Sequence, residues 1–136
     1  MTRLSAAAVL VLVGMALPAH ATEWMDCGDG EKTVSIRVLL GAMDVIAISS
    51  MEIEAAGRTW STAGADGATR ITAGQAFETA DQLWIDVTDE SVGQIIARLR
   101  LFKASDNTEG LENSQAAAGT LALPGVGVWP VICSSP

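Results

Sequence analysis

The chain has 136 residues, enough for one domain, and its formal net charge is −8 because 16 acidic side chains outnumber 8 basic ones. A surface of this sign repels nucleic-acid phosphates and anionic lipids, so neither nucleic acid nor a membrane surface is expected as a partner. The composition includes one histidine, two cysteines, four tryptophans and no tyrosine.

Residues 1–21 have the layout of a secretory signal peptide. Arg3 precedes an apolar run at 4–17, Pro18 ends the run, and small residues follow it. The run is shorter than the roughly 20 residues of a membrane span, and an uncleaved N-terminal anchor is the alternative. Cleavage predicts a single mature domain, residues 22–136, that is periplasmic or secreted and does not insert into the membrane. Loss of Arg3, the only charged residue of this segment, changes the net charge from −8 to −9.

Two cysteines stand near opposite ends of the mature chain, at Cys27 and Cys133. In an exported protein this arrangement predicts one disulfide that ties the termini together. In the chain-entropy treatment, a closed loop of this length stabilises the fold by roughly 4–5 kcal/mol. Two free thiols or a bridge between molecules are the alternatives.

Between the cysteines the chain is a succession of short alternating runs, as is typical of β-strands. At Ser49 and Ser50 the apolar side chains change from even to odd positions, which predicts a bulge or a strand that crosses between two sheets. The polar stretch 105–119 is predicted to be a long loop, and Pro130 places the last strand at a sheet edge. The alternating runs lie at 34–40, 43–54, 58–62, 71–77, 83–88, 95–102, 120–123 and 126–133.

The segment 82–103 predicts a β-hairpin at the centre of the domain. Odd positions from 83 to 87 are apolar, and alternation resumes over 95–102 after a polar, glycine-containing break. Residues 92–102 also carry apolar side chains at helical spacing, so an amphipathic helix is the alternative for this run.

The hairpin implies a register between its two strands. Asp86 should lie opposite Arg98, and Trp84 opposite Arg100. These pairs predict a cross-strand ion pair and a cation–π contact on the exposed face.

Seven or eight short strands separated by turns predict an all-β fold, either a small antiparallel β-sandwich or a partly open barrel. The predicted core draws on Val34, Ile36, Val38, Trp60, Phe77, Ile85, Leu99 and Val128.

Most catalytic chemistry is excluded by missing side chains. Without residues 1–21 the chain has no histidine, so Ser-His-Asp and Cys-His catalysis and histidine-ligated metal sites cannot be built. The mature chain has no nucleotide-binding, hydrolase, zinc-protease or thioredoxin motif, and disulfide-bonded cysteines are not nucleophiles. We therefore expect no cofactor, and a binding protein rather than an enzyme.

The remaining polar groups that can bind a metal ion or act in catalysis are three clusters of carboxylates. We interpret them as solvated acidic loops, with calcium binding or a glycosidase-like carboxylate pair as alternatives. The clusters are Asp26, Asp29 and Glu31; Asp86, Asp89 and Glu90; and Asp106, Glu109 and Glu112.

Two functional hypotheses follow. In the first, an exported, non-enzymatic β-protein binds another envelope protein or a polymer, with the edge at 126–131 as a docking site for a partner strand. In the second, a carbohydrate-binding or weakly hydrolytic module stacks an exposed tryptophan on sugar beside a carboxylate. The candidate ligand contacts are Trp24, Trp84, Asp86, Arg98, Arg100 and Asp106.

Overall fold

The computed structural model describes residues 22–41, 45–110 and 115–134. The predicted signal peptide, residues 1–21, lies outside these residues, as does Glu112 of the third acidic cluster. None of the described chain is helical, so this part has no helix long and apolar enough to cross a membrane. The described chain forms the strands β1 (Glu23–Gly28), β2 (Val34–Gly41), β3 (Ala47–Ala55), β4 (Arg58–Ser61), β5 (Thr69–Glu78), β6 (Gln82–Asp89), β7 (Ile95–Ser105), β8 (Gln115–Leu123) and β9 (Gly127–Ser134).

These nine strands close into a barrel in which each pairs with its neighbours in sequence and β9 returns to β1. Every pair is antiparallel except β4 and β5, which run parallel where Trp60 lies beside Thr69. A ring of nine strands cannot be antiparallel throughout, because strand direction would have to reverse an odd number of times. One parallel pair removes this conflict. Residues 62–68 are long enough to connect β4 to the parallel strand β5, because β4 has only four residues and the connection therefore has a short distance to cover.

The all-β prediction is confirmed, and the barrel is closed. β6 and β7 form the predicted hairpin, so the helix alternative for residues 92–102 is wrong. The predicted loop over 105–119 is also wrong over its last five residues, because β8 begins at Gln115. Alanine and glycine are poor strand formers, but β7 and β9 lie on either side of this segment and pair with it.

The barrel interior is a continuous apolar core to which every strand contributes. Burial of each large aliphatic side chain stabilises the fold by roughly 1.5–3 kcal/mol. Six of the eight predicted core residues are buried, but Phe77 and Val128 are 52% and 68% exposed. The buried six are Val34, Ile36, Val38, Trp60, Ile85 and Leu99.

Local geometry explains the two errors. A bulge between Ala73 and Ala76 places two residues of β5 opposite one of β6, so the inward face passes from odd to even positions and Phe77 points outward. In β9 the inward face carries Val131 and Cys133, which leaves Val128 on the outside.

A second register shift confirms the bulge predicted at Ser49. Leu39 pairs with Ser50, but Leu40 pairs with Ile48, so Ser49 is the additional residue of β3. The parity change there therefore occurs within one strand, without a crossing between sheets.

Cys27 and Cys133 form the predicted disulfide, which joins β1 to β9 where the barrel closes. A disulfide of this kind is compatible with an oxidising extracellular or periplasmic compartment. Among the described residues, β9 pairs with β1 only over Ile132–Ser134, although it pairs with β8 over its whole length. The predicted sheet edge is therefore confined to the part of β9 that contains Pro130.

Candidate functional site

The outer face of the β6–β7 hairpin carries the largest group of predicted contact residues. The predicted register is confirmed, with Trp84 opposite Arg100 and Asp86 opposite Arg98. The predicted ion pair is wrong in its partner, because Asp86 binds Arg100 instead of Arg98. Arg100 is the diagonal neighbour of Asp86, and a side chain of its length spans that offset.

Arg100 joins the polar and aromatic parts of the site. Its Nη2 atom donates to Oδ1 of Asp86 at 2.5 Å, and Nη1 donates to the carbonyl oxygens of Ile85 and Leu99. The guanidinium is thereby held against the sheet, and its Cζ lies 5.3 Å from the centroid of the Trp84 ring. This contact is the predicted cation–π interaction, and it fixes the position of the indole.

Phe77 completes the site from the other side. Its ring centroid lies 6.0 Å from that of Trp84, at an interplanar angle of 56°. The β5 bulge makes this contact, and it depends on Gly74, where a Cβ would lie only 2.8 Å from the carbonyl oxygen of Asp86. We call Phe77, Trp84, Asp86 and Arg100 the β6–β7 cluster.

The β6–β7 cluster is an open platform rather than an enclosed pocket. Trp84 retains 43% of its exposure, and the cluster lines a shallow depression of about 70 Å³. Enclosed small-molecule sites are roughly 300–1,000 Å³, so this depression can hold only the edge of a ligand.

A second cluster with the same chemistry lies on β1 and β2. Arg37 Nε donates to Oδ1 of Asp26 at 2.6 Å, and its Cζ lies 4.9 Å from the centroid of the Trp24 ring. Trp24 is 39% exposed. We call Trp24, Asp26 and Arg37 the β1–β2 cluster.

The other two predicted contacts do not join these clusters. Arg98 is exposed and lies opposite Asp86, but among the described residues it has no ion-pair partner. Asp106 follows β7 and accepts hydrogen bonds from the backbone N–H and hydroxyl of Thr108.

The acidic loops use their aspartates to build turns. A hydrogen bond from the Thr33 hydroxyl lowers the pKa of Asp29, with the Val34 and Thr33 backbone N–H groups adding to the effect. The Ser91 hydroxyl lowers the pKa of Asp89 in the same way. No three metal-ligating side chains converge within the described residues. The carboxylates of Asp29 and Asp89 therefore have a structural role, since they hold the turns in which they lie.

Two clusters of the described chain thus combine an exposed indole, a positioned guanidinium and a carboxylate. No known relative supplies a function. Neither a family model, nor a curated protein, nor a solved structure matches this chain. The function has to be inferred from the clusters themselves.

Sequence reasoning missed Phe77, Asp26 and Arg37 as members of these clusters. Phe77 could not be found because the β5 bulge reverses its face. Asp26 had a usable signal, since tryptophan and aspartate two positions apart occur both at 24–26 and at 84–86, whereas the position of Arg37 depends on the pairing of β1 with β2. In a strand this spacing places both side chains on one face.

Proposed function

We propose that the protein is a non-enzymatic binding protein, exported to the periplasm or secreted after cleavage of residues 1–21, whose β6–β7 cluster binds a polysaccharide. The observation that carries this proposal is the exposed indole of Trp84, which lies beside a carboxylate and a guanidinium in a depression too small to enclose a ligand.

The chemistry of the cluster suits a sugar ring. An indole offers a flat apolar surface for the C–H face of a pyranose, and ring positioning by Arg100 lowers the entropy lost on binding. Among the described residues, none donates a hydrogen bond to Oδ2 of Asp86, so this oxygen can accept from a sugar hydroxyl. The ion pair also makes the cluster electrically neutral, which suits an uncharged ligand.

Affinity electrophoresis tests the proposal. Native gels would contain hydroxyethyl cellulose, dextran, glycol chitin or, as the anionic member, alginate. The wild-type protein should be retarded in at least one of the three neutral gels, and Trp84→Ala should lose most of this retardation. Val128→Ala is the matched control, because it removes an exposed apolar side chain of β9 that lies three strands away from Trp84 and outside the part of β9 that pairs with β1.

The outcome that contradicts the proposal is normal wild-type migration in all three neutral gels. Equal retardation of wild type and Trp84→Ala would also contradict it, since binding would then lie elsewhere.

A second candidate function is the addition of a partner strand to β9. Its support is the part of β9 before Ile132, which pairs with β8 on one side but with no described residue on the other. Val128 in this part is 68% exposed, and unpaired strand edges accept extended peptides. Pro130 lacks an N–H and limits the ladder that a partner can form.

Pull-down from an envelope extract distinguishes this second candidate. Wild type should capture a partner that Val128→Pro does not, because the substitution removes one N–H from the edge. Recovery of no partner by either protein would count against strand addition.

A further inference from the structure

We propose that the β1–β2 cluster is a second binding site of the same kind, so that one molecule bridges two chains of a neutral polysaccharide. This inference rests on the proposed function and adds its valency and the class of polymer.

The two clusters match in composition and dimensions. The guanidinium-to-indole distances are 4.9 and 5.3 Å, and the ion-pair distances are 2.6 and 2.5 Å. The two indoles are 39% and 43% exposed. In each cluster the tryptophan and the aspartate lie on one strand and the arginine on the next.

The match is chemical and does not come from one repeated local structure. Arg37 lies directly opposite Asp26 and reaches Trp24 diagonally, whereas Arg100 lies directly opposite Trp84 and reaches Asp86 diagonally. The two registers therefore differ, yet the same three groups meet on the outer surface. A ligand that uses both clusters must present the same chemical unit at least twice, as a polymer does.

The barrel holds the two clusters on nearly opposite walls. In the ring, the β6–β7 pair is four strand positions from the β1–β2 pair in one direction and five in the other. Four of nine positions correspond to roughly 160° around a closed barrel. The distance along the sheet is about 19 Å at a strand spacing of about 4.8 Å. A straight chain lying on one cluster cannot also contact the other, so simultaneous occupancy joins two chains.

Flanking charges favour an uncharged polymer. Glu52 lies opposite Arg37 beside the first cluster, and Arg98 lies opposite Asp86 beside the second. An anionic ligand would be repelled by the first environment and a cationic ligand by the second. A neutral polysaccharide is the ligand that both clusters accept.

The test uses single and double variants in the same neutral gels, together with light scattering of protein mixed with the soluble polymer. Trp24→Ala and Trp84→Ala should each weaken apparent binding by on the order of 100-fold, because loss of one site removes the avidity of the pair. The double variant should migrate as it does without polymer. Wild type should increase the scattering particle size with hydroxyethyl cellulose, dextran or glycol chitin, and both single variants should not.

Arg37→Met provides a second variant that keeps the Trp24 indole but removes the group that positions it. It should weaken binding and abolish bridging, as Trp24→Ala does. Circular dichroism of each variant verifies the β-fold, which is expected to persist because all of these side chains lie outside the core.

The outcomes separate the two proposals. If Trp24→Ala is retarded as strongly as wild type and Trp84→Ala is not retarded, the second site is overturned and the proposed function stands. If Trp84→Ala is retarded as strongly as wild type, both the proposed function and bivalent binding are overturned. Migration of wild type without retardation in every neutral gel overturns both.

Discussion

The disulfide should dominate the stability of the barrel, because it spans nearly the whole domain at the point of closure. Cys27 and Cys133 are separated by 106 residues. The chain-entropy relation for a loop of this length gives a loss of about 4.8 kcal/mol when the bond is removed. Many domains have a total unfolding free energy of only 5–15 kcal/mol, so this loss is a large fraction of the total.

The change to make is the double substitution Cys27→Ala/Cys133→Ala, which keeps the core apolar and removes the bond. We expect the free energy of unfolding to fall by about 5 kcal/mol in urea titrations. For a domain of about 115 residues, the melting temperature should fall by roughly 15–25 °C. Wild-type protein unfolded with and without a reducing agent is the control, and its reduced form should match the double variant.

The structure also predicts which strands lose the most stability when the disulfide is removed. β1 and β9 pair only from Asp26 to Gly28, whereas β7 and β8 pair from Arg98 to Ser105. Without the disulfide, backbone amides of β1 should exchange hydrogen much faster, and those of β7 should change only as much as global stability does. A loss below about 1.5 kcal/mol would refute this reasoning, because strand pairing alone would then close the barrel.

Further substitutions test the packing around the site and the turns. Gly74→Ala should lower the free energy of unfolding by roughly 1–3 kcal/mol, because the added Cβ would meet the neighbouring strand. Gly30→Ala is the control and should be nearly neutral, since no atom of another part of the chain lies within 4 Å of the added carbon. Unfolding titrations that show equal effects for the two would contradict the assigned bulge. Thr88→Val should raise the free energy of unfolding by about 1 kcal/mol, since the buried hydroxyl of Thr88 has no hydrogen-bond partner among the described residues. A loss of stability would contradict this, because it would show that the hydroxyl makes a hydrogen bond. The pKa values of Asp29 and Asp89 are lower in the folded state than the ordinary 3.8, so their stabilising contribution is present above pH 3.8 and is lost as the pH falls through the folded values. Melting temperatures measured from pH 6 to pH 2.5 should therefore decline more steeply for wild type than for Asp29→Asn, and parallel curves would contradict the assignment.

Local patterns were sufficient to predict the central hairpin and its register. Alternation on both sides of a short turn constrains which residues can face each other, because a one-residue slip would turn the apolar side chains of one strand away from the core and a short turn disfavours larger slips. The register in turn correctly predicted the contact between Trp84 and Arg100. It could not predict the ion-pair partner of Asp86, because a long arginine side chain reaches diagonal as well as direct neighbours.

Features that depend on neighbouring strands were not predictable from the sequence. The outward position of Phe77 depends on a bulge, and a single additional residue reverses the face of everything after it. β8 contains alanine and glycine at positions 116–119 and forms a strand only because β7 and β9 pair with it. Closure of the ring was equally hidden, because it requires one parallel pair that no local pattern specifies.

The indole N–H signals of the four tryptophans give the most direct test of binding by the exposed clusters. In a ¹⁵N-correlated NMR spectrum, each signal can be assigned by substituting one tryptophan with phenylalanine, and Trp60 serves as a buried reference. Addition of cellohexaose, isomaltohexaose or chitohexaose should shift the signals of Trp84 and Trp24 and leave that of Trp60 in place. Unchanged Trp84 and Trp24 signals with all three oligosaccharides would contradict the account.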